Sequence, residues 1–223
     1  MVNDFQISSL KDDALYQLAN TYTKTKNHEK AHRAYNRLLE KYPKSSFLPR
    51  ALVRQGLLYY SNNQNPEAIE RFKLTANKYP NTPDAIEAVR NAKNIYLDED
   101  NFDEYVAWVQ TLQFINVSQS EAENSSFTIA ERKYFENKNH SGIIFSLKKY
   151  LTKFPKGPNF LKANYYLADI LFKEKQFDKA IVNYNIILKA GITPFSEDTL
   201  AKLSQIYLEK QKFQDALPLL ERL

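Results

Sequence analysis

A short proline-bearing turn recurs along this chain: Lys41-Tyr42-Pro43-Lys44-Ser45, then Lys78-Tyr79-Pro80-Asn81-Thr82, then Lys153-Phe154-Pro155-Lys156-Gly157. Pro43 and Pro80 lie 37 residues apart, and the 75 from Pro80 to Pro155 are one more than two such steps. Self-similarity at this interval marks a repeat array, in which each unit buries its apolar face against its neighbours. Between turns the chain is rich in Ala, Leu, Lys, Glu and Gln, all good helix formers, and no segment sustains the alternation of a strand. Of four glycines, Gly142, Gly157 and Gly191 fall where turns are expected. The predicted class is all-α.

Setting Asp12 as the first position of a unit places Leu15, Leu18, Ala19 and Tyr22 on one stripe of a first helix. Ala31, Tyr35 and Leu38 then share one stripe of a second helix, and Pro43 closes the unit. The unit from Pro49 has Leu52, Gly56, Tyr59, Ala68, Phe72 and Pro80 at the same places. Small residues are expected where the two helices cross. Gly56 gives up about 1 kcal/mol of helix propensity relative to Ala, which predicts a close approach there.

Further units start near Ile86, Asn124, Leu161 and Glu197. The third puts Lys93 and Tyr105, and the fourth Glu131, where small residues belong. Bulk at a crossing forces helices apart, so a splayed third repeat is expected, with Trp108 filling part of the gap. The polar stretch 113–126 is the expected hinge or irregular linker, with Ser118 and Glu121 spaced as a capping box. The expected organisation is therefore units 1–3 over residues 1–112, the linker 113–126, and units 4–6 over 127–223. Leu223 falls inside the second helix of the last unit, which predicts an excised portion of a longer repeat protein.

These residues resemble the tetratricopeptide repeat, W-x2-L-G-x2-Y, A-x3-F and P, with leucine in place of the tryptophan. The resemblance covers roughly residues 8–223 and implies a right-handed α–α superhelix of about six helix-turn-helix repeats. The unit ends Tyr-Pro-Lys-Ser and Tyr-Pro-Asn-Thr, followed by Ala51, Gly56 and Tyr59, are similar to a narrower group. That group is the bacterial envelope tetratricopeptide proteins of the Tol-Pal accessory and outer-membrane assembly lipoprotein type. The resemblance implies a non-catalytic adaptor in the periplasm or envelope; the residues themselves leave the cytoplasm open.

His28-Glu29-Lys30-Ala31-His32 matches H-E-x-x-H, the pattern of a zinc peptidase. The repeat explains it better: His28 shares its place with Phe102, His140, Phe177 and Phe213, and Ala31 is the helix-contact alanine. The chain has no cysteine and no glycine-rich phosphate loop, so no catalytic group, metal, cofactor or small-molecule substrate is expected. No apolar run approaches the ~18 residues of a membrane span, and Met1 to Phe5 lack the basic start of a secretory signal.

The expected binding surface is the inner face, made by the first helices. Cations and anions are nearly balanced on it, which argues against nucleic acid despite a net charge of +5; a helical-repeat RNA-binding protein is thus the weaker alternative. A protein or peptide is the expected partner. The candidate residues are Arg50, Arg54, Tyr60, Arg90 and Asn94 in the first half, and Arg132, Phe135, Lys162, Tyr165, Tyr166 and Phe172 in the second. Exposed aromatics and arginines are the usual anchors of such interfaces.

Overall fold

The computed structural model describes the backbone of residues 2–223 and the side chains of residues 10–223. Helices follow one another without a strand among the described residues. The chain divides into two compact units, Met1–Val117 and Ser118–Leu223. The first holds α1 (Val2–Lys24), α2 (His28–Lys41), α3 (Leu48–Ser61), α4 (Asn65–Lys78), α5 (Pro83–Asp98) and α6 (Phe102–Val109). The second holds α7 (Gln119–Glu136), α8 (His140–Lys153), α9 (Phe160–Lys173), α10 (Phe177–Lys189), α11 (Ser196–Glu209) and α12 (Phe213–Leu220). Each unit is an all-α array of helical hairpins.

One backbone device recurs in every hairpin. The turn between first and second helix carries a residue in the left-handed region: Lys26, Asn63, Asp100, Asn137, Lys175 and Gln211, with φ between 50° and 59°. Left-handed backbone ends a helix and reverses the chain in few residues. Local chemistry sets the helix starts. Asn27, Thr82, Ser118 and Asn139 cap α2, α5, α7 and α8 through side-chain oxygens that accept backbone N–H bonds. Gly142 lies in the first turn of α8 and not in a turn between helices, and Leu223 lies beyond α12 and not inside it.

The hairpins close on small residues. Ala31, Ala68 and Ala180 are fully buried, as are the second-helix aromatics Tyr35, Phe72 and Tyr184. At Gly56 the fit is tightest: a Cβ there would lie 2.6 Å from Cε1 of Phe72.

The third and fourth repeats depart from expectation in an instructive way. Lys93 and Glu131 do not hold helices apart, because the buried small residue sits one position earlier, at Ala92 and Ala130. Lys93 is half-buried, its Nζ 5.9 Å from the Phe102 ring, and Glu131 turns to meet Lys162. The third repeat differs instead in its second helix, α6, of 8 residues against 14 in α2 and α4. Tyr105 is buried at its crossing, 5.2 Å from the Phe102 ring and 6.2 Å from Trp108, so aromatic rings fill the space. The stretch 113–126 is irregular only as far as Ser118, whose Oγ accepts the Glu121 N–H at 3.1 Å and starts α7.

Candidate partner-binding face

In both units, polar side chains on consecutive first helices reach across to one another. In the first unit α3 faces α5. Arg50 Nε lies 3.4 Å from Asp84 and an Arg54 guanidinium nitrogen 3.8 Å from Glu87. Further along, the Tyr60 hydroxyl donates to Asp98 at 3.0 Å, and that bond, with some burial, raises the Tyr60 pKa. The arginine side chains stay 57% and 45% exposed. Ion pairs that long and that wet contribute little to stability, so both guanidinium groups keep donors for another acceptor. Arg90 and Asn94, one turn apart on α5, are exposed as well.

The second unit is more tightly tied. Asp169 on α9, 2% exposed, accepts from the Tyr134 hydroxyl at 2.8 Å, from Lys173 at 2.7 Å and from Lys202 at 2.6 Å. Burial alone would raise its pKa, but the bonds from Lys173, Lys202 and Tyr134 outweigh it and hold the carboxyl below the usual range. Lys202 also meets Asp198 at 2.8 Å, and Asp198 accepts from the Tyr165 hydroxyl at 2.8 Å. Burial, then the bond to Asp198, pushes the Tyr165 pKa up to about 12. Lys162 pairs with Glu131 at 2.6 Å, and the Tyr166 hydroxyl donates to the same carboxylate at 3.1 Å. One network thus runs from α7 through α9 to α11.

The expected aromatic residues separate into two kinds. Tyr166 is buried, its ring stacked 4.0 Å from Tyr134. Tyr165 stacks 4.7 Å from Phe195, and Phe172 packs 5.9 Å from Phe177. Phe135 differs: it is 68% exposed, edge-on to Tyr134 and Tyr166 at 5.4 Å and 5.7 Å. Arg132 and Lys162 lie beside this cluster on α7 and α9, half-exposed. Sequence reasoning did not single out the Tyr134–Asp169–Lys202–Asp198 network. Its signal was present, since acids and lysines alternate at first-helix positions one repeat apart.

The H-E-x-x-H residues do not assemble. Glu29 is paired with Arg33, and the His32 ring lies tilted against Tyr59, 4.2 Å between centroids. Among the described residues no group of three or more His, Cys, Asp or Glu gathers as a metal site, and no helix is long and apolar enough to cross a membrane.

Residues 13–45 and 50–82 match the family model of the tetratricopeptide repeat. No curated protein sequence matches the chain. Among solved structures, Pseudomonas aeruginosa pilF is similar at 15% identity over 95% of this chain and 90% of that one, with a TM-score of 0.39. A tetratricopeptide repeat protein from Parabacteroides merdae shares 13% over 95% and 78%, with a TM-score of 0.42. The TPR2AB domain of yeast Sti1, in complex with pHSP90, shares 14% over 95% and 88%, with a TM-score of 0.43.

Proposed function

We propose that this chain, which carries tetratricopeptide repeats at residues 13–45 and 50–82, is a non-catalytic scaffold that holds a partner protein or peptide on its first-helix faces. The observation that supports this most is the row of Arg50, Arg54, Arg90 and Asn94 on α3 and α5. Arg50 and Arg54 make only long, solvated pairs, and Arg90 and Asn94 are exposed on the neighbouring first helix. Guanidinium groups in that state suit carboxylates or backbone carbonyls of an extended partner. Tyr60 borders the row, its hydroxyl turned to Asp98.

In the second unit the exposed Phe135 ring is the anchor, flanked by Arg132 and Lys162; Tyr166 supports it edge-on, Tyr165 lies against Tyr166, and Phe172 packs on Phe177. The Asp169 network fixes neighbouring first helices before any partner arrives, and a preorganised face loses less entropy on binding. The Tyr-Pro unit ends support a bacterial cell-envelope setting, which fractionation of the source cells reads directly.

Affinity capture with the wild type and with an Arg54→Glu/Tyr165→Ala double variant tests the scaffold reading. Loss of the wild-type partner supports it, and unchanged recovery counts against it.

A further inference from the structure

Residues 137–168 contain Lys138, Lys148, Lys149, Lys153, Lys156 and Lys162 and not one Asp, Glu or Arg. The stretch therefore carries +6, while the whole chain carries +5, so everything else sums to −1. The basic character is local, and α8 displays most of it.

Phe145, Lys148, Lys149, Thr152 and Lys153 fall at i, i+3, i+4, i+7 and i+8 and share one face of α8. That face is the outward one, since Ile143, Leu147 and Tyr150 on the other side are buried. The five residues line an open groove of about 590 Å³. Phe145 is 67% exposed, and its ring stands among lysines, whose methylene stems add apolar surface. Lys153 also borders a second hollow of about 520 Å³ with Lys156, Pro155 and Pro158, so the basic strip continues past the helix end. The acid in that hollow, Glu123, is 4% exposed and already accepts from Tyr150 and Asn159. Lys149 and Lys153 keep contacts within the chain; Lys148 and Lys156 stand exposed at the surface.

We propose that this α8 face is a second docking surface, separate from the first-helix faces, for an acidic segment of a partner protein that seats an apolar side chain beside Phe145. Charge complementarity sets the sign of the partner, and the apolar groove between the lysines sets the need for an anchor. The strip from Phe145 to Lys153 spans about 12 Å of helix. That suits a few carboxylates, whereas nucleic-acid affinity needs many phosphates neutralised together. A bilayer takes up a helix face with several large apolar side chains, and among the five residues of this face Phe145 is the only large apolar one.

Fluorescence anisotropy of the full chain tests this with a labelled peptide of Glu residues around a central Leu-Leu pair. Its Ser-Ser counterpart, a labelled oligo-dT and phosphatidylserine-containing vesicles serve as competitors. The Leu-Leu peptide is expected to bind tightest and to weaken with added salt. Lys148→Glu/Lys149→Glu should weaken it about tenfold. Phe145→Ser should abolish its advantage over the Ser-Ser peptide, and Lys44→Glu, at an exposed turn lysine outside both faces, should leave it unchanged. Circular dichroism confirms that the surface variants remain folded. No binding, binding indifferent to both α8 variants, or tighter lysine-dependent binding of oligo-dT or vesicles would each overturn the proposal.

Discussion

Gly56 and Phe72 meet where α3 crosses α4, and the space between them is smaller than a methyl group: a Cβ on Gly56 would stand 2.6 Å from the Phe72 ring. Alanine gains about 1 kcal/mol of helix propensity over glycine, yet overpacking a core typically loses about 1–3 kcal/mol. Phe72 is fully buried, so its ring can give way only by disturbing its own packing. Gly56→Ala should therefore lower stability by about 1 kcal/mol net in urea unfolding, and adding Phe72→Leu should recover part of that loss. A more stable Gly56→Ala would show that the crossing yields.

The six hairpin turns invite the opposite substitution. Lys175 and Gln211 adopt φ of 56° without being glycine. Left-handed backbone disfavours a Cβ by about 1–2 kcal/mol, less the entropy glycine adds to the unfolded chain. Lys175→Gly and Gln211→Gly should each raise stability by about 0.5 kcal/mol, read as a higher denaturant midpoint. Asn63→Gly should gain less, because asparagine tolerates this region.

Asp169 binds two lysines and a tyrosine from a site almost closed to water. Asp169→Ala should cost about 3 kcal/mol, because it leaves the Tyr134 hydroxyl without its acceptor and Lys202 with only the more exposed Asp198. Lys173→Ala, which removes a more exposed partner, should cost less than about 1 kcal/mol. Equal losses for the two would mean that the network contributes no more than a surface pair.

His32 gives the chain a pH response. Burial first, then the charges of His28 and Arg71, lower its pKa from the ordinary 6.5. Both ring nitrogens are buried without a partner. The folded chain thus takes up this proton less readily than the unfolded one. Its contribution is present above the unfolded pKa and is lost as pH falls through about 6.5 and below. Urea midpoints measured between about pH 8 and about pH 5 should drop on acidification, and His32→Phe, which keeps a ring over Tyr59, should flatten that drop.

The repeat period was legible because two kinds of position admit few residues: the crossing, with Ala31, Gly56 and Ala68, and the closing Pro43 and Pro80. What escaped the sequence was one step of register. Ala92 and Ala130 take the crossing that the template assigns to Lys93 and Glu131, and an alanine one place away from its expected position carries no mark in composition. The turn residues escaped because Lys26, Lys175 and Gln211 are not left-handed formers by type; the helices they join impose the conformation. On the first-helix face the near balance of charge was legible. Its pairing was not, since Glu131 with Lys162 and Asp169 with Lys202 are partners one repeat apart that only packing brings together. Tyr166 looked like a docking residue for the same reason: its stack on Tyr134 crosses from α9 to α7.

Site-specific photo-crosslinking bears most directly on the scaffold reading. A photoreactive phenylalanine analogue placed at Asn94 or Phe135 samples the two first-helix faces, and one at Val182, 61% exposed on α10, serves as the reference. The expected result is a discrete partner adduct from Asn94 that disappears when Arg54→Glu is added, an adduct from Phe135, and none of comparable yield from Val182. Adducts that form equally from Val182, or that persist from Asn94 through Arg54→Glu, would contradict it.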